Sequence, residues 1–130
     1  SGNPSKSSGY MVKPCNVEAF DNGYDGNYNT SNYRFTAPVA GVYQFSNVFN
    51  CYSAPSNMFC SILVNGSTQY IGNKRNNNTG NGDQNVTAYC IVQLEQGDYV
   101  QAYDNTSNGV TYSSGVTWNR FEGALIAAYK

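Results

Sequence analysis

Apolar and polar residues alternate wherever apolar side chains cluster in this chain, and no window repeats at the spacing of a helix face. That period of two predicts an all-β fold built from short strands. Val42 to Tyr52 places Tyr43, Phe45, Phe49 and Cys51 on one face, interrupted by Asn47. Met58 to Val64 alternates Met58, Cys60, Ile62 and Val64, then meets Asn65-Gly66, the dipeptide that best suits a two-residue hairpin turn, with Ser67 to Ile71 as the returning strand. Val86 to Leu94 sets Val86, Ala88, Cys90, Val92 and Leu94 inward. Gln96-Gly97-Asp98 then turns the chain into Tyr99 to Tyr103, and Phe121 to Tyr129 carries Phe121, Gly123, Leu125 and Ala127 on one face.

Polar stretches separate these runs. Gly72 to Asn85, GNKRNNNTGNGDQN, reads as a long surface loop, and Asp104 to Gly115 as a second turn-rich connection. Short strands punctuated by Gly, Asn and Asp indicate a β-sandwich of about ten short antiparallel strands. At 130 residues there is one core, spanning residues 10–130, with 1–9 as a linker edge; the final strand ending one residue from the terminus suggests the C-terminal domain of a longer protein. The last strand is apolar enough on both faces to occupy a central position.

Composition narrows the chemistry. Aromatic residues make up 15% and charged residues 12% of the chain, the reverse of a disordered segment. A formal charge of −1 with one adjacent basic pair, Lys74-Arg75, gives no field for phosphate backbones and argues against nucleic acid. No apolar run approaches the roughly 18 residues of a membrane span. The chain has no histidine, no nucleophile motif and no phosphate-binding loop, and its acids sit in turns, as Glu95 and Asp98 or Asp21 and Asp25 do; catalysis is not expected. Cys15, Cys51, Cys60 and Cys90 match no zinc or redox spacing. Cys60 and Cys90 alternate in register with core residues, which favours free thiols over bridges. Asp83, Asp98, Asp104 and Asn105 form the calcium candidate, although no sequential calcium loop supports it.

The spacing Tyr28, Phe35, Gly41, Tyr43, Phe45 resembles the signature of the C1q/TNF-like superfamily, and three further blocks resemble it in order: Ile62 to Gly66, Val92 to Val100 with Gly97 and Asp98, and Phe121 to Ile126 with Gly123. Val17, Gly23 and Asn47 stand where the pattern has Phe, Asn or Asp, and an aromatic residue. No first strand of the family type is legible in the opening residues. The resemblance implies a jelly roll that closes into a homotrimer around the outer face of one sheet, and that binds and assembles rather than catalyses. Pro38 followed by Gly41 reads as a sharp turn into the aromatic strand.

Amides bond sugar hydroxyls and aromatic faces stack on sugar C–H groups, so Lys74, Arg75, Asn76, Asp83, Tyr112 and Trp118 are the ligand candidates, for a host-surface glycan or a protein receptor. The bland reading makes Trp118 a cap on the core and the Asn-rich loop a solubilising tip. Five N-x-S/T sequons, at Asn29, Asn65, Asn77, Asn85 and Asn105, follow from the abundance of Asn; those at Asn65 and Asn85 border strands, which mildly disfavours a glycoprotein. The low-charge, Asn/Gly/Tyr-rich composition resembles versions of the family in phage or virion fibres, so the leading reading is a trimeric recognition head on a virion appendage. The alternatives are a secreted cellular C1q-domain protein acting as a lectin-like or signalling module, and a purely structural capsid or fibre cap.

Overall fold

The computed structural model describes residues 5–6, 9–12, 27–52, 57–76, 83–106, 110–112 and 119–129. Among them run eleven strands: β1 (Ser5–Lys6), β2 (Gly9–Val12), β3 (Tyr28–Asn29), β4 (Arg34–Thr36), β5 (Gly41–Tyr52), β6 (Asn57–Val64), β7 (Thr68–Asn76), β8 (Asp83–Leu94), β9 (Tyr99–Thr106), β10 (Val110–Tyr112) and β11 (Arg120–Ala128). No helix occurs among these residues, and so none long and apolar enough to cross a membrane.

All pairings are antiparallel, in two sheets. In the first, β8 follows one edge of β5 along its whole length, from Gly41↔Leu94 to Tyr52↔Asp83. The other edge of β5 is shared by β11, over Gly41 to Val48, and by β10, at Cys51 and Tyr52. The second sheet has the order β3-β4-β9-β6-β7, with β2 beside the far half of β9. The alternating residues fill the space between the sheets: Tyr43, Phe45, Phe49 and Cys51 from β5, Met58, Cys60, Ile62 and Val64 from β6, Val86, Ala88, Cys90 and Leu94 from β8, and Val100 and Ala102 from β9 are all buried. The period-two pattern therefore assigned the inward faces of β5, β6 and β8 correctly.

Several boundaries differ from the pattern. The stretch read as a loop from Gly72 to Asn85 is mostly strand: Lys74, Arg75 and Asn76 pair with Phe59, Met58 and Asn57, and Asp83 to Asn85 pair with Tyr52 to Asn50. A polar sequence extends as strand because the ladder bonds are main-chain bonds supplied by a long neighbour. For the same reason β9 continues to Thr106, past the expected turn at Asp104. Among the described residues β11 pairs with β5 alone and is exposed along its length, so it lies at an edge there and not in a central position. A register shift between Leu125 and Ala127 breaks the alternation that placed Ala127 with Leu125. Gly41 has no positive φ; a Cβ there would meet the Ala127 carbonyl oxygen at 2.5 Å, so the residue serves close approach of β5 to β11 and not a sharp turn. β1 and the first residue of β2 fall within the nine residues expected as a linker.

Candidate functional site

The signature residues form the core. Phe35 lies edge-on to Phe45 at 5.4 Å and 5.8 Å from Tyr43; Phe45 stacks on Phe121 at 5.7 Å, and Phe121 reaches Tyr28 at 6.3 Å. This aromatic column joins β3 and β4 of one sheet to β5 and β11 of the other, with the Tyr43 hydroxyl donating to the Val39 carbonyl at 2.7 Å. Such offset and edge contacts add to the large apolar area each ring buries. Their spacing in the sequence records a packing requirement and marks no ligand site.

Asn47 departs from that column and is also wholly buried. Its Nδ2 lies 3.1 Å from Asp104 Oδ1 and 3.2 Å from the carbonyls of Ser61 and Tyr103, while the Cys60 thiol donates to the Asn47 carbonyl at 3.5 Å. Asp104 is itself fully buried. A polar pin thus crosses between β5 and β9 in an otherwise apolar interior, made through the Asn47 Nδ2 while its Oδ1 is buried without a partner.

At the end of the sandwich where β5 finishes and β8 begins, the topology gathers most of the expected ligand positions. Lys74, Arg75 and Asn76 close β7, Asp83 opens β8, and Tyr112 closes β10 opposite Cys51, whose other neighbour is Gln84. These five backbone positions share one end of the molecule, and Trp118 lies outside the described residues, as do Cys15, Val17, Asp21, Gly23, Asp25 and the sequon at Asn77.

The calcium candidates do not converge. Asp104 is buried between the sheets, whereas Asp98 lies in a turn six residues earlier on the same strand line, about 20 Å away at the rise of an extended chain. Asp98 acts as a turn acid: its carboxylate accepts from the Glu95 backbone N–H at 2.8 Å and from Asn65 Nδ2 at 2.9 Å, and these two bonds, the Asn65 bond first, hold its carboxyl below the usual carboxylate range. Among the described residues no three acidic, cysteine or histidine side chains gather to hold a metal ion. Cys51, Cys60 and Cys90 are buried free thiols, and burial pushes the Cys90 thiol up to about 11 against the lowering effect of its hydrogen bond to the Phe45 backbone. That is chemistry of a core residue and not of a nucleophile.

The feature that residue-level reasoning missed lies on the outer face of the first sheet. Tyr89 and Ile91 alternate with the buried Ala88 and Cys90, so both point outward from β8, at 59% and 55% exposure; Leu125 pairs with the inward Tyr43, while Ile126 of β11, at 52%, adds a third exposed apolar side chain, with Tyr129 just past the strand. Between them runs a groove of about 330 Å³ over β5, lined by Gln44, Ser46, Tyr89, Glu122, Gly123 and Ala124 with Phe45 at its floor. The signal was present in the sequence: AYCIV is apolar on both faces of its strand, which a one-sided sheet does not require.

Comparison with known proteins follows this architecture. The family model "C1q domain" matches residues 7–126. Complement C1q tumor necrosis factor-related protein 2 of Homo sapiens is 32% identical over 105 residues, covering 79% of this chain and 35% of that protein, and its Mus musculus counterpart is 31% identical over 105 residues, covering 79% and 34%. The chain thus spans about a third of the length of these relatives. Among solved structures, the globular domain of zebrafish complement 1qA protein superposes with a TM-score of 0.63 at 14% identity, covering 99% of this chain and 100% of that one. Eiger TNF from S. frugiperda superposes at 0.68 and 9% identity, covering 99% and 88%. Both show the jelly-roll fold. The matches are to animal proteins, so the virion or phage-fibre setting finds no support here, and the cellular alternative stands closer. Family model, curated relatives and the aromatic column that generates the signature agree: this chain belongs to the C1q domain family.

Proposed function

We propose that the chain is a non-catalytic, extracellular recognition module of a cellular protein, which assembles as a homotrimer through the outer face of β8, β5 and β11. The observation that carries this reading is the exposed apolar set Tyr89, Ile91 and Ile126 on that one sheet, with Tyr129 just past the end of β11. Each large apolar side chain that an assembly removes from water contributes about 1.5–3 kcal/mol, so three copies meeting on this face gain a substantial apolar interface. The family resemblance supports a threefold arrangement, and the likeness to animal C1q-related proteins supports the cellular setting.

In such an assembly the two ends of each sandwich stay open. The end that bears Lys74, Arg75, Asn76, Asp83 and Tyr112 is then the recognition end, suited by its mixed charge and amides to a glycan or a polar protein surface. Light scattering of the purified chain should give three chain masses. Tyr89→Glu should give folded monomer, because it places a charge in the apolar interface; a monomeric wild type, or a trimer indifferent to this change, would overturn the reading. Glycan screening with Lys74→Ala and Arg75→Ala then tests recognition, and a stable trimer that binds nothing would leave a purely structural role.

A further inference from the structure

We propose that Asn65 is a latent deamidation site that Asp98 holds closed. The chain contains four Asn-Gly pairs, at residues 22–23, 65–66, 81–82 and 108–109, and only the second lies within the described residues. Asn-Gly is the dipeptide most open to this reaction, because the glycine has no side chain to keep its backbone nitrogen from the preceding amide. The Gly66 nitrogen gives up its proton to solvent and bonds to Asn65 Cγ. The Cγ–Nδ2 bond breaks, and the amide nitrogen leaves as ammonia after taking a proton. Water then opens the five-membered imide at either of its two carbonyls, leaving aspartate or isoaspartate. The net change is amide plus water to acid plus ammonia.

The folded chain works against the first step. Asn65 (φ 51°) and Gly66 (φ 72°) form a left-handed turn closed by the Ser67 N–H on the Val64 carbonyl at 3.1 Å. Both ends of the Asn65 side-chain amide are tied to the neighbouring turn: Nδ2 donates to Asp98 Oδ1 at 2.9 Å, and Oδ1 accepts from the Tyr99 N–H at 2.9 Å. The Asn65 N–H also donates to the Tyr99 carbonyl at 2.8 Å. Turning Cγ toward the Gly66 nitrogen therefore requires release of two side-chain bonds. Asp98 cannot follow the rotation, since its other oxygen holds the Glu95 N–H and its carbonyl accepts from the Ala37 N–H at 2.8 Å. Conversion weakens the joint between the two hairpin turns, since a carboxylate at residue 65 has no side-chain N–H to offer and faces the Asp98 carboxylate.

The test is to incubate the full chain in mildly alkaline buffer, folded and in urea, beside Asp98→Ala, and to follow all four Asn-Gly pairs by peptide mapping. In the folded wild type residue 65 should convert at least about tenfold more slowly than in urea, since each 1.4 kcal/mol of local opening cost lowers the open population tenfold. Asp98→Ala should remove most of that protection at residue 65 alone. Equal rates at residue 65 in folded and unfolded wild type would overturn the proposal. Should Asp98→Ala fail to fold, the exchange variant Asn65→Asp/Asp98→Asn decides the matter, because it keeps one donor facing one acceptor. Its melting temperature should lie nearer wild type than that of Asn65→Asp, and a double variant no better than the single one would exclude Asp98 as the clamp.

Discussion

Asn47 shows how much a single buried amide can depend on its partner. It occupies an inward position on β5 where the family pattern has an aromatic residue, and it meets the buried Asp104 of the opposite sheet at 3.1 Å. Removing the amide leaves a buried carboxylate short of a donor, so Asn47→Ala should cost about 1–3 kcal/mol, read from urea denaturation. Replacing both residues by Leu should cost less than the sum of the single changes, because neither polar group is then stranded. Gly123 makes the opposite kind of demand. A Cβ there would enter the space of the Phe45 ring, which is held between Phe35 and Phe121 and has nowhere to move. Gly123→Ala should therefore destabilise by about 1–3 kcal/mol, with a lowered urea midpoint and unchanged m value. Cys90 sets an alkaline limit. Its folded thiol is raised to about 11 from an ordinary value of 9.0, so its contribution is complete below 9.0 and is lost as pH rises toward about 11, where the unfolded chain has already ionised. Cys90→Ala should lose that part of the alkaline slope in a melting-temperature series.

At the scale of elements, the joint between the β6–β7 and β8–β9 turns has a pH signature of the other sign. The Asp98 carboxyl is depressed in the folded state, so its stabilisation is complete above the ordinary carboxylate pKa and disappears as pH falls through that value to the lower folded one. The melting-temperature difference between wild type and Asp98→Asn should hold near neutrality and shrink below about pH 4. Elements were legible in the sequence to different degrees, for identifiable reasons. β5, β6 and β8 announced themselves because apolar residues recur at alternate positions along one face of each. Lys74 to Asn76 and Asp83 to Asn85 did not, because those positions are held by main-chain bonds to partners remote in sequence, which side-chain patterning does not record. The bulge in β11 was equally hidden, since Leu125, Ile126 and Ala127 are all apolar and leave the register undetermined.

For the whole molecule, the outer face of the first sheet sets the expected response to solvent. Its prominent residues are uncharged, and the charged pair on the same strand, Arg120 and Glu122, is already joined within the chain and exposed. Association through this face should be nearly insensitive to added salt and should weaken on cooling, as apolar contacts do. Sedimentation velocity across salt concentration and temperature checks both; dissociation by moderate salt would point to a charged interface instead. The sequence by itself determined the fold class, the inward faces of the main strands, the free core thiols at Cys60 and Cys90, and membership of the C1q pattern, because each follows from local alternation or from aromatic spacing along one chain. Only the tertiary structure decided that the signature aromatics form a column between sheets, that Asn47 finds Asp104, that Asn65 is gripped by Asp98, and that five candidate ligand positions share one end. Those relations join residues tens of positions apart, and strand pairing brings them together through main-chain bonds that any side chain permits.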